Sequence, residues 1–354
     1  MSQSKPPEPA EPNASPAILD AVRVAPSPHL SDVLTTRRMM VDVIIALVPA
    51  IAVAVWIFRW YAVVQVGLCV LVCLATEAAF CLMRRKPTSV GDYSAVVTGL
   101  ILGLSLPWSA PWYIAVIGSV AAIGLGKAVF GGLGCNLFNP AMVGRAFVML
   151  SFARELGASA YVDAQSKLEI LTQATPLSLA KQFAAQLAEG KVDAELVRAQ
   201  LQSAESIWNL LAGWVNGSLG ETSAVALLIG GLYLCCRRVA AWQIPVGIFA
   251  AVLLFAELGY WTNVTLLNSL HHMAAGSLLF GAFFIATDPV SSPLTGMGRF
   301  IFGLGIGLAV VVIRLFSGYP EGFMFAVLLM NATVPLINRW TIPRPFGGPL
   351  PQRG

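Results

Sequence analysis

Between Val41 and Ile337 the chain is a succession of ten apolar runs, none with more than one charged residue inside it. A helix of about 20 such residues crosses the hydrocarbon of a bilayer, so the pattern predicts an all-α polytopic membrane protein of about ten transmembrane helices. Composition agrees: only 11% of the 354 residues are charged and 57% are apolar, whereas a soluble globular chain carries about 25% charge. A soluble enzyme with one core, a disulfide-stapled secreted domain and a disordered chain are all excluded. The formal charge of +4 reads as loop bias, and no basic stripe with interleaved aromatics points to nucleic acid.

Residues 1–36 hold Pro, Glu, Ser and Ala without an apolar run, which predicts a disordered cytoplasmic arm. Five runs follow in 37–152: about 41–58, 62–83, 95–106, 112–130 and 140–152. Residues 153–221 are the one long polar stretch, with eight acidic against five basic residues. Five more runs occupy 222–338, near 223–236, 242–257, 272–286, 300–316 and 322–337, before a tail at 339–354. Arg37-Arg38, Arg84-Arg85-Lys86, Arg237-Arg238, Arg299 and Arg339 fall on one side of that count. The positive-inside rule then puts both termini in the cytoplasm and 153–221 outside.

The third run of each half is short and stopped by proline: Thr98–Pro107 in the first, Phe280–Pro289 in the second. Five runs per half make the second copy enter from the opposite side, so two inverted five-helix repeats with interrupted half-helices are expected, with a site where the interruptions meet.

Soluble catalytic constellations are missing, among them G-x-S-x-G, H-E-x-x-H, a Walker loop and G-x-G-x-x-G after a strand. Cys69, Cys73, Cys81, Cys135, Cys235 and Cys236 include no C-x-x-C and read as small apolar residues. His29, His271 and His272 read as solvated or capping, and no metal site is expected. The segment Gly131–Phe147 differs, because Asn136, Asn139 and Arg145 crowd the start of a membrane helix where polar groups need partners. It reads as a turn with Asn139 as N-cap and Pro140 at the first helical position, or as a surface whose glycines and amides meet the pyrimidine edge of a flavin. Glu77, Arg145, Glu257 and Arg314 are the intramembrane ionisable candidates, Glu257 and Arg314 being expected near the wet outer ends. In the polar stretch, Pro176 biases Thr175 toward an extended backbone, either to start a helix as its N-cap or to present its hydroxyl for modification.

Together, Ser27-Pro28-His29, Arg38-Met39-Met40, Gly132–Ala141, Ala174-Thr175-Pro176-Leu177 and Ala286-Thr287-Asp288-Pro289 resemble one family. It is the D subunit of the Rnf ion-translocating electron-transport complex, with its relative the B subunit of sodium-translocating NADH:quinone oxidoreductase. The short arm favours the former. The resemblance implies FMN joined through its phosphate to Thr175 by a flavin transferase, although Glu169 and Gln173 stand where the acceptor motif has Asp and Gly. It also implies riboflavin in the bundle, with Asn136, Asn139 and Asp288 as its expected surroundings. The implied function is electron transfer between NADH and ferredoxin coupled to Na+ or H+ movement in a bacterial inner membrane, beside other subunits that include a second FMN-bearing one. A small-solute transporter or channel, or a redox-inert scaffold, would lack the flavin.

Overall fold

The computed structural model describes residues 35–85, 89–156, 175–188, 201, 204–262, 264–317 and 321–343. The arm, His29, the acceptor motif ahead of Thr175 and the tail beyond 343 lie outside the described residues. Among the described residues the regular elements are helices, and the one extended pairing is an isolated bridge between Pro107 and Ser218. The protein is an all-α polytopic membrane protein.

The first half contributes α1 Thr36–Phe58, α2 Trp60–Met83, α3 Ser94–Ser105, α4 Trp112–Ile123 and α5 Pro140–Ser151. Two helices of the polar stretch follow, α6 Pro176–Ala188 and α7 Ala204–Ala212. The second half contributes α8 Ala224–Cys236, α9 Gln243–Trp261, the short pair α10 Ser269–Ala274 and α11 Leu278–Phe280, then α12 Gly296–Phe316 and α13 Phe323–Thr341. Five of these, α1, α2, α9, α12 and α13, are long and apolar enough to cross a membrane unaided. The remaining apolar segments are short or broken, and α3 is the most enclosed of the longer ones, every residue except Val96 being buried.

The breaks have local causes. Pro107 forces Leu106 into an extended backbone (ψ 153°), and α3 stops. Its orphaned carbonyls are taken up by the loop ahead of α8, where the Gly220 amide donates to the Leu104 carbonyl (2.7 Å) and the Leu219 amide to that of Leu106 (3.2 Å). The expected run 272–286 is not one helix. It breaks at Ala275–Ser277, with Gly276 in the left-handed region (φ 71°), because a side chain there would run into Glu321, Leu177 and Arg314. After Phe280 the chain widens into a π-helical turn, Gly281–Ile285, and α4 widens likewise over Gly124–Ala128. Such turns are frequent at functional sites. The two proline-stopped stretches paired in sequence are thus both short and buried, but differ in winding.

The most extensive helix contact is α9 against α12, the small-residue packing of membrane helices. A Cβ on Gly303 would strike the Ile244 carbonyl, and one on Gly307 would lie 2.6 Å from that of Ile248.

Candidate functional site: a polar cavity between the two halves

The turn from α4 to α5 is built by glycine. Gly131, Gly132 and Gly134 have φ of 119°, 117° and 90°, which L side chains rarely adopt, so the chain doubles back in a few residues. Asn139 then caps α5 as the sequence suggests: its Oδ1 accepts from the Ala141 (3.1 Å) and Met142 (3.3 Å) amides, with Pro140 in the first turn. Its Nδ2 donates to the Ile285 carbonyl (3.2 Å), at the end of the second π turn. Asn331 of α13, oriented so that both ends of its amide are satisfied, accepts from the Asn139 amide (3.1 Å) and donates to the Ser291 carbonyl (3.2 Å). Two asparagines therefore staple the first half to the second.

Beside that staple lies a cavity of about 80 Å³ whose walls include Asn136, Asn139, Lys127 and Asp288, with Phe283 and Phe284 among the apolar ones. The structure brings together the three residues that the sequence singled out at separate places. Their polar atoms differ in availability. Asn136 is buried, its Nδ2 donates to the Phe138 carbonyl (3.1 Å), and its Oδ1 has no hydrogen-bond partner among the described residues. Asn139 is fully engaged with backbone. Asp288 accepts from the Val290 amide (3.2 Å) and the Ser291 hydroxyl (2.8 Å), closing its own turn. Burial pushes its carboxyl up, against those hydrogen bonds.

Lys127 escaped the sequence reading. It sits in the π turn of α4, is 3% exposed, and donates to Glu77 Oε1 (2.7 Å) and Ser94 Oγ (2.6 Å). Ser89 also donates to Glu77. A second cavity, about 250 Å³, lies on the Glu77 side, and Lys127 and Leu133 line both. A lone lysine inside an apolar run was the available signal. Its partner 50 residues away was not readable.

Thr175 stands immediately ahead of α6. Its Oγ1 accepts from the Ser178 amide (3.3 Å) and lies 2.8 Å from Ser178 Oγ, so Thr175 is the N-cap of α6. α6 is docked: Leu177 is buried with Leu210, Leu266 and Leu267, and Lys181 donates to the Ser317 carbonyl (2.6 Å). Desolvation, then the nearby Arg314 charge, lowers the Lys181 ammonium from its usual range.

The remaining ionisable candidates are paired or engaged. Arg145 lies 3.6 Å from Glu221 and 3.7 Å from Glu321. Arg314, expected to be wet, is 3% exposed and donates to the His272 and Ala275 carbonyls, because the break between α10 and α11 leaves those oxygens without helical partners. Glu257 is half-buried and accepts from the Ser269 amide (3.4 Å). All six cysteines are free thiols, and no cluster of metal-ligating side chains exists among the described residues.

Comparison with known proteins places this geometry in context. Residues 23–347 match the family described as NQR2, RnfD, RnfE. The D subunit of the Na(+)-translocating ferredoxin:NAD(+) oxidoreductase complex of Acetobacterium woodii is 41% identical over 326 residues, which is 92% of this chain and 95% of the relative. The D subunit of the ion-translocating oxidoreductase complex of Halorhodospira halophila is 38% identical, covering 90% and 94%. Its counterpart in Cronobacter sakazakii is 37% identical, covering 92% and 99%.

Proposed function

The chain belongs to the NQR2, RnfD, RnfE family, as a membrane subunit of an ion-translocating oxidoreductase complex, and on that premise we propose that it is the complex's flavin-bearing D-type subunit. In this reading Thr175 carries FMN through a phosphodiester, the cavity at Asn136 holds riboflavin, and electrons pass between NADH and ferredoxin while Na+ or H+ crosses a bacterial inner membrane. Other subunits, one of them bearing a second FMN, supply and take the electrons, and a flavin transferase loads Thr175.

The observation that carries the riboflavin assignment is the unpartnered Oδ1 of Asn136 in the wall of that cavity. A buried amide oxygen without a donor costs about 1–3 kcal/mol, which a ring N–H would relieve. Phe283 and Phe284 offer apolar walls for a planar ring. Asn139 and Asn331 hold the walls at fixed separation, and Lys127 supplies a cation there.

α6 presents the Thr175 hydroxyl at its N-terminus, where first-turn amides and the helix dipole favour a phosphate. Docking of Leu177 and Lys181 fixes that position relative to the bundle. A flavin, once bound, accepts and donates electrons singly or in pairs.

The test separates the two flavins. The chain is purified after co-expression with a flavin transferase, denatured, and split into supernatant and protein. Riboflavin in the supernatant and flavin fluorescence retained on the protein are expected. No flavin in either fraction contradicts the proposal and returns the fold to a solute-transporting role.

A further inference from the structure

A second buried polar cluster lies at the end of the bundle where α6 docks, and it is independent of flavin. Glu221 belongs to the loop that caps α3, and Glu321 to the turn entering α13. The two carboxyls face each other within hydrogen-bonding reach, and Arg145 of α5 lies 3.6 Å from one and 3.7 Å from the other. Their side chains differ in access: Glu221 is 2% exposed and Glu321 18%. Arg314 of α12 supplies a second buried cation beside both, flanked by His272 and His271 of α10 and Lys181 of α6. Ser218, wholly buried, places its hydroxyl within hydrogen-bonding reach of Glu221.

The atoms left without partners identify the ligand. Among the described residues Arg314 Nε is a donor without an acceptor, while Glu221 Oε1 and Glu321 Oε2 face Arg145 at 3.6 and 3.7 Å and accept no hydrogen bond. Buried orphans of both kinds in one place are the surroundings of ordered water, not of a metal ion, which needs acceptors alone. Two guanidiniums beside the carboxylates repel a metal cation further. Two facing carboxylates, by contrast, share a proton readily, because the second ionises against the charge of the first.

We propose that Glu221 and Glu321 form a proton-binding site, in which one proton and ordered water are held between the two carboxylates beneath Arg145. Binding converts a carboxylate to a carboxylic acid and nothing else changes covalently. Glu321, the more exposed, exchanges the proton with solvent, and Glu221, the deeper, retains it. Burial of Glu221 and then the Glu321 charge raise its carboxyl well above the ordinary range, with Arg145 acting against them.

Infrared pH-difference spectra of the purified full chain test this, with Asp288→Asn as background to remove the other buried carboxyl of raised affinity. A carboxylic-acid C=O stretch persisting at neutral pH and shifting in D2O is expected. Glu221→Gln abolishes it. Glu321→Gln, which removes the neighbouring charge, lowers its midpoint by about one pH unit or more, a tenfold loss of proton affinity, while Glu321→Asp keeps it. Exchange of Na+ for choline leaves the midpoint unmoved. Absence of the band at neutral pH in the background protein overturns the proposal without reliance on any variant of the pair. A band that survives Glu221→Gln, a midpoint indifferent to Glu321→Gln, or one that moves with Na+ overturns it equally.

Discussion

At the residue scale the most exacting requirement is the Lys127–Glu77 pair, both ends almost wholly buried at 2.7 Å. Removing one partner leaves an uncompensated charge in low dielectric, which costs about 3–5 kcal/mol, whereas replacing both with apolar residues costs far less. Lys127→Met is therefore expected to lower the thermal-inactivation midpoint sharply, and Lys127→Met combined with Glu77→Leu to recover most of the loss. A double variant as unstable as the single one would contradict that account. Asn136→Leu removes the unpartnered oxygen while keeping apolar volume; noncovalent flavin in the supernatant is expected to fall at least tenfold with covalent flavin unchanged. The caps at Asn139 and Thr175 were legible in the sequence because a cap depends on three or four neighbouring residues. The partners of Lys127, Arg145 and Arg314 were not, because those contacts join segments dozens of residues apart or use carbonyls freed by a break the pattern did not show.

At the scale of elements, all ten apolar runs return as helical segments, since apolarity over a dozen residues is a strong local signal. Their winding does not follow from it. Nothing in Gly124–Ala128 or Gly281–Ile285 separates a π turn from an α turn by composition, and both are stabilised by the tertiary site they adjoin. Close helix contacts are intermediate: small residues four apart are visible at Gly303 and Gly307, but their facing carbonyls on α9 are not. Gly307→Val, which forces a side chain onto the Ile248 carbonyl and Ala251, is expected to cost about 1–3 kcal/mol. Gly296→Val, whose nearest neighbour is Gln243 Nε2 at 3.8 Å, serves as the control. Comparable inactivation midpoints for the two would show that the α9–α12 contact is not as close as described.

Across the whole molecule, bonds between the halves include the asparagine staple beside the cavity, the Glu221–Arg145–Glu321 cluster beside α6, and the bonds of Asp42 in α1 to Tyr233 and Arg237. The second gives stability a pH dependence of definite sign. Folded Glu221 keeps its proton at pH values where the unfolded carboxyl, near 4.5, has lost it. The folded state then binds more protons, so stability falls as pH rises from the ordinary carboxylate range through the raised value. Inactivation midpoints are expected to decline over that window in the Asp288→Asn background, where the other raised carboxyl is gone, and to decline less when Glu221→Gln is added. A midpoint that climbs with pH there would reverse the sign and refute the burial argument. Fold class, the order of segments and the polar turn at Asn136 were readable because each is written in contiguous sequence. That Asn136, Asn139 and Asp288 line one cavity was not, since it depends on how the second half folds back on the first. The central claim is that Thr175 is a flavin attachment site on a redox subunit. It is tested most directly by co-expressing the native chain and Thr175→Ala with a flavin transferase and measuring the intact mass and in-gel fluorescence of each. A fluorescent native chain heavier by FMN less one water, beside a dark variant of unmodified mass and normal yield, is the expected result; a dark, unmodified native chain, or a variant that remains fluorescent, would contradict it.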